Sequence, residues 1–349
     1  MRITALDGLR GFALILVLLF HTFSPFTYGG FIGVDIFFVL SGFLITHILI
    51  SEYSRNNKIN LKFFYIRRVL RLAPALLIVT MFYLLYTQTQ LIGAEKEDAW
   101  WISFSTIFYF GNWLRAFDIS SLNQLGHTWS LSIEEQFYLL WPLAIILAFK
   151  KLGNKKTIIL TCISIVVILW INRGILVIND ASIHRLYFAT DTHIDGLLIG
   201  GLAAMLMNWY IVKKPNFISF FTRYNTHISY LSFTFYIIST LVLNMWLREI
   251  YIFYYPILSI ITAILITSFY ITKGDKQNYL FSNKWIVWLG SISYGVYLWH
   301  WLIYRILASY NIEGLIMGFY GSIVAILLAS VSFYMVEKPI LKHKSKFHP

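Results

Sequence analysis

Ten stretches of the chain are apolar for long enough to cross a bilayer as helices. They cover residues 11–28, 31–50, 72–93, 132–149, 157–172, 196–212, 227–247, 250–272, 285–304 and 315–336. Each is close to the roughly 20 residues that span a hydrocarbon core. An eleventh stretch, 100–114, is shorter and rich in Trp, Phe and Ser. Its length and aromatic content predict a re-entrant or interfacial piece rather than a span. The first run begins near the N-terminus but no small-residue cleavage pattern follows it at 24–28, so it is expected to be retained. No soluble domain, linker or fixed-period repeat interrupts the series. The expected fold class is an all-α integral membrane protein, one transmembrane domain over 1–349, with no fused extracytoplasmic domain.

Composition agrees with the pattern. Of 349 residues, 58% are apolar and only 13% charged, about half the charge of a soluble domain, and the mean hydropathy is +0.68. There is too little polar surface to cover a water-soluble globule. This excludes a cytosolic enzyme, a nucleic-acid-binding domain and a disordered chain. The net charge of +12 is a question of sidedness. With the N-terminus in the cytoplasm and ten crossings, the outer segments hold only Lys96, Arg115, Arg173, Arg185, Arg248 and Arg305 of the 28 lysines and arginines. The positive-inside rule therefore predicts about ten spans with both termini cytoplasmic. Making 100–114 a full span would reverse every later loop and destroy the asymmetry.

Ionisable residues within such runs are functional candidates. Arg10 and His21 are 11 residues apart, close to three helical turns. They share a side of the helix about 16 Å apart along the axis. Either one extended ligand touches both, or Arg10 is a cytoplasmic flank and His21 a satisfied core histidine. Asp35 lies at a similar depth on the next run. It either orients the imidazole or caps its helix. Arg67, Arg68 and Arg71 cluster before the third run, and two guanidinium forks spaced i, i+3 suit phosphate; topology signalling alone would also explain them. At 126–138, Ser132 and Glu135 read as a capping box, which leaves Glu134 without a structural explanation. Asp191, His193 and Asp195 hint at metal ligands, but no spacing completes a site. Tyr294, Tyr297 and His300 share one side of the ninth run. Cys162 reads as a buried, inert thiol. Elbow-serine, P-loop, dinucleotide and zinc-protease motifs are absent, as is a soluble-type HxxxxD acyltransferase motif.

Taken in order, these residues resemble membrane-bound acyltransferase family 3, whose bacterial members O-acylate surface carbohydrates. The resemblance is carried by Arg10-x10-His21, by Gly33-Val34-Asp35-Ile36-Phe37-Phe38-Val39-Leu40-Ser41-Gly42, and by Arg68-x-x-Arg71. It continues through Thr128-Trp129-Ser130-Leu131-Ser132-Ile133-Glu134-Glu135-Gln136-Phe137-Tyr138, Asp195-Gly196-Leu197-Leu198, and Ser293-Tyr294-Gly295-Val296-Tyr297-Leu298-Trp299-His300. It implies a multi-pass protein of the bacterial inner membrane that uses acyl-CoA, usually acetyl-CoA, as donor substrate, with no permanently bound cofactor and no metal. The donor phosphates would meet Arg67, Arg68 and Arg71, with Arg10 further along the path. His21 would act as general base or accept the acyl group itself, oriented by Asp35 or Glu134. The acceptor would be a surface glycan or lipid-linked oligosaccharide, and Trp129, Glu135, Tyr138, Asp195, Tyr297 and His300 would contact substrate. Trp100, Trp101, Trp113 and Trp129 of the outer loops would suit sugar rings. Some members carry a fused extracytoplasmic domain; a chain ending at Pro349 would work alone or hand the acyl group to a separate extracytoplasmic transferase. The competing readings are a glycolipid transporter or flippase, and a structural subunit. These should tolerate loss of His21.

Overall fold

The computed structural model describes residues 3–22, 26–90, 94–273 and 280–342, the side chains of 94–97 excepted. Arg2, Lys276, Lys344 and Lys346 of the charge tally lie outside the described residues, as do Ser24, Pro25 and the side chain of Lys96. Helices α1 (Thr4–Thr22), α2 (Ile32–Asn56) and α3 (Leu61–Gln90) are followed by the short α4 (Ala94–Ile107) and α5 (Gly111–Ala116). Next come α6 (Trp129–Lys151), α7 (Lys155–Ile178), the short α8 (Ile183–Phe188) and α9 (Thr190–His193), then α10 (Asp195–Trp209) and α11 (Pro215–Val242). The chain continues through α12 (Tyr255–Ile271), α13 (Lys284–Ser291), α14 (Ser293–Ser309), α15 (Gly314–Ser332) and α16 (Lys338–Lys342). There is no strand among the described residues.

Eight of the described helical segments are long and apolar enough to cross a membrane, or nine when α13 and α14 count as one broken span. Large apolar side chains point outward from the bundle: Leu77, Met81 and Leu85 on α3, Ile168 and Ile175 on α7, Ile316, Phe319 and Leu327 on α15. Water does not tolerate an apolar belt of this extent, and a bilayer requires one. The chain is a multi-pass integral membrane protein.

Two expectations from the sequence change. The run 227–247 belongs to α11, which starts at Pro215 and ends at Val242. Its Arg223, Asn225, His227 and hydroxyl residues leave it less apolar than the other long helices. The run 285–304 is not one helix: α13 and α14 meet at 75°. Ser291 donates to Trp288 O at 2.6 Å and Ser293 to Gly290 O at 3.0 Å, so side chains satisfy carbonyls at the break. The segment 100–114 is split between α4 and α5. Asn112 ties α5 to the α8–α9 turn by donating to Phe188 O at 3.1 Å and Thr190 Oγ1 at 2.9 Å.

The inner helices are α1, α2 and α10. Glycines let them approach their neighbours at backbone distance. A Cβ at Gly42 of α2 would meet Leu197 O at 1.9 Å, and one at Gly290 of α13 would meet Asp7 O at 1.8 Å. The second contact clamps the start of α1, which carries Arg10, beside the break that leads into α14.

Candidate active site

A cavity of about 770 Å³ is bounded mainly by α1, α2, α3, α6 and α14. Six cations, Arg10, Arg55, Arg67, Arg68, Arg71 and Lys273, line it against three acids, Asp7, Glu52 and Glu134. Helical spacing explains the two charged walls. Arg67, Arg68 and Arg71 occupy one turn of α3, and Ser130, Glu134 and Tyr138 repeat every four residues along α6. Most of the charges are already paired. Arg10 donates to Asp7 at 3.0 Å and Arg67 to Glu52 at 3.4 Å. The Arg68 guanidinium lies 3.6 Å above the Tyr138 ring and 3.7 Å from Glu135, while the Tyr138 hydroxyl pairs with Ser41. Arg71 is exposed to the cavity and makes no hydrogen bond or ion pair with any described residue. A partly partnered arginine wall, in which the Arg55 and Arg71 forks have no partner among the described residues, is suited to an anion carrying more than one charge.

The other end of the cavity is closed by Ser130 and Tyr297. The Tyr297 hydroxyl donates to His127 O at 2.8 Å, so the Ser130 hydroxyl donates to Tyr297 at 2.7 Å. Behind this pair stand three imidazoles in series. The His127 and His300 rings are 5.2 Å apart, as are those of His300 and His21. Each spends one nitrogen on a backbone carbonyl: His21 Nδ1 on Val17 at 2.9 Å, His300 Nδ1 on Tyr297 at 2.6 Å, His127 Nε2 on Leu298 at 3.1 Å. A carbonyl only accepts, so each of these nitrogens carries the proton and the other is a lone pair. His300 Nε2 and His127 Nδ1 are buried without a hydrogen-bond partner among the described residues. Arg115 fixes a positive charge beside them. It donates to Gly126 O at 2.8 Å and lies 3.8 Å over Phe188. Burial draws its pKa down to about 10, which still leaves it charged at neutral pH.

Several sequence-derived assignments shift. Asp35 does not orient His21: it accepts from His193 Nε2 at 2.7 Å. Glu134 faces Arg68 and Ser41, and the ring neighbours of His21 are Phe20, His300 and Trp301. The Ser132–Glu135 capping box does not form. The helix begins at Trp129, Ser132 donates back to Thr128 O at 3.4 Å, and Glu135 turns to Arg68. Trp129 is buried among Phe38, Tyr187, Phe188 and His193, so no sugar stacks on it here. Asp195 is engaged by Arg173 at 2.9 and 3.1 Å and by Trp170 at 2.8 Å, away from the cavity. His193 and Arg173, read as a weak ligand and a loop charge, are core partners. Asp191 pairs with Arg185 at 2.6 Å, and no group that could hold a metal occurs among the described residues. Tyr138 and Tyr297 line the cavity, while His300 is fully buried behind it. His127 is not among the residues the sequence singles out; its spacing from Ser130 and Glu134, three and seven positions on, is the available signal.

A family model described as "Acyltransferase domain" matches residues 3–335, and the chain belongs to this family of acyltransferases. Among curated proteins, it is 31% identical over 362 residues to "Peptidoglycan O-acetyltransferase OatA" of Listeria monocytogenes, covering 98% of this chain and 56% of that protein. It is 35% identical over 357 residues to "O-acetyltransferase OatA" of Staphylococcus aureus, covering 97% of this chain and 57% of that protein. The chain thus spans a little over half the length of these relatives. No solved structure matches it.

Proposed function

We propose that the chain is a membrane-bound O-acyltransferase, most simply an O-acetyltransferase, of the bacterial cytoplasmic membrane. It moves an acyl group from cytoplasmic acyl-CoA to a hydroxyl of a cell-surface polysaccharide or its lipid-linked precursor. Peptidoglycan is the acceptor named for one relative. The topology that fits this reading is the ten-span one, with both termini cytoplasmic and the arginine end of the cavity facing the cytoplasm.

The observation that carries the reading is a cavity with a cationic wall at one end and, behind the Ser130–Tyr297 pair that closes the other, the His127–His300–His21 series with each ring held in one tautomer. Arg71 takes donor phosphate, with Arg68 and Arg10 alongside. The pantetheine arm follows the cavity toward Tyr297. His21 Nε2 then takes the hydroxyl proton or the acyl group. The test is mass spectrometry of surface glycans from cells with the native chain, without it, and with His21→Gln. O-acyl groups should disappear without the chain. They should fall by about 10²–10⁴-fold with His21→Gln, the usual range for a lost base. Near-normal O-acylation by a properly inserted His21→Gln protein overturns the reading.

A further inference from the structure

We propose that His300 is a second catalytic base, which takes the acceptor hydroxyl's proton while His21 carries the acyl group. The inference rests on the proposed acyl transfer and adds a residue role to it. Among the rings around His21, Phe20 is apolar and the Trp301 indole only donates, to Asn123 O at 3.2 Å. His300 alone among them brings an accepting nitrogen. Its ring is fully buried, its orientation is held by the 2.6 Å bond from Nδ1 to Tyr297 O, and Nε2 is left without a partner. A buried acceptor with nothing to accept from is costly, and it is met when a hydroxyl arrives. Tyr297 cannot serve, since its proton is committed to His127 O, and Asp35 is committed to His193.

The chemistry requires such a group. When His21 Nε2 attacks the thioester, the carbon–sulfur bond breaks and the thiolate leaves with the electron pair. The acylated ring then has no lone pair, and its Nδ1–H faces only the Val17 carbonyl. As the acceptor oxygen bonds to the acyl carbon, its proton passes to His300 Nε2. The carbon–nitrogen bond breaks and its electrons return to His21 Nε2. His300 then gives the proton to the thiolate, and donor thiol and ester are the net products. A proton cannot cross His300 from one nitrogen to the other, because the far nitrogen is held against a carbonyl. The ring is a store for one proton and not a wire.

The two amide replacements separate this role from a structural one. His300→Asn keeps a donor for Tyr297 O and removes Nε2; His300→Gln keeps a polar group near Nε2 that cannot take a proton. Membranes from cells expressing each variant are given radiolabelled acetyl-CoA, and label on the protein is measured beside O-acetyl on the surface glycans of the same cells. The expected result is native or increased protein labelling with both variants, and surface O-acetyl lowered by about a hundredfold or more. If either inserted variant keeps surface O-acetyl within about threefold of native, or if both lose protein labelling, the second-base assignment is overturned while the acyltransferase reading stands. If the native protein takes no label, His21 acts as the base, and this inference falls with the acyl-histidine branch while the acyltransferase reading stands; if His21→Gln acylates normally, that reading fails and takes this inference with it.

Discussion

Two buried histidine clusters sit in one bundle and differ in how completely they are paired. Around His193, every charge has an opposite. Its Nδ1 donates to Tyr187 O at 2.6 Å and its Nε2 meets Asp35, while Arg173 and Asp195 form a second pair beside them. Whichever atom holds the shared proton, the His193–Asp35 pair carries no net charge. Around His300, each imidazole has spent one nitrogen on backbone and kept the other unspent. Although Asp35 Oδ2 and Arg173 Nε find no hydrogen-bond partner among the described residues, both ion pairs are closed, and the first cluster reads as architecture that fastens α2, α7 and α10 together. The second reads as a site that waits for a donor. Asp35, which looked catalytic in the sequence, falls in the first cluster, whereas Glu134 lines the cavity, and only the geometry separates the two.

The largest break in this comparison is Arg173→Ala. It leaves Asp195 buried without its counter-charge and should cost about 3–5 kcal/mol, read as a lowered unfolding temperature or loss of monodisperse protein in detergent. Arg173→Met with Asp195→Leu should recover most of that loss, because the pair is then replaced by apolar groups of similar size. His300→Asn should leave unfolding nearly unchanged. Equal destabilisation by Arg173→Ala and His300→Asn would erase the distinction between the clusters.

A smaller effect is expected at the unpaired end of the cavity. Arg71→Ala removes a free guanidinium, and a charged hydrogen bond is worth about 1.5–3 kcal/mol. Acyl-CoA binding should weaken by about ten- to a hundredfold, and unfolding should stay the same. Binding measured on the purified variant checks this, and unchanged affinity would make Arg71 a topological charge only. The smallest effect is expected for Tyr138→Phe. It deletes the hydroxyl that pairs with Ser41 but keeps the ring under Arg68, so it should cost about 1 kcal/mol by thermal unfolding. A much larger loss would mean that the Ser41 pairing, rather than the ring, holds Arg68 in the cavity wall.

Much of the fold was legible because span length is a one-dimensional property. All the apolar runs but 285–304 fall on long helices, and the clustered arginines of α3 reach one wall because their spacing is local. Partner choice was not legible. Asp35 and His193 are 158 positions apart, and the nearer His21 was the natural guess from adjacent runs. Arg173 lies near the end of an apolar run, where a cation ordinarily marks the membrane edge, so its burial against Asp195 left no local trace. The α13–α14 bend was hidden because hydropathy is blind to direction. Pro74 and Pro142 stand inside continuous helices, whereas the sharp bend falls at Ile292, between Ser291 and Ser293, whose hydroxyls take the freed carbonyls. His300 was visible as a motif residue. Its free nitrogen could be recognised only once the other had been seen bound to a carbonyl.

Helix α1 is unbroken from Thr4 to Thr22 and carries Arg10 and His21 on one rigid rod. Its pitch makes it a gauge block between an anion anchor and a reactive nitrogen, about 16 Å long at 1.5 Å per residue. Point substitutions cannot retune that length. Only insertion or deletion can, and a single added residue between the two would swing His21 about 100° around the axis, away from His300. Two quantities, reach and bearing, are thereby locked to each other, so a change of donor length would have to arise in the walls of the cavity rather than along its axis.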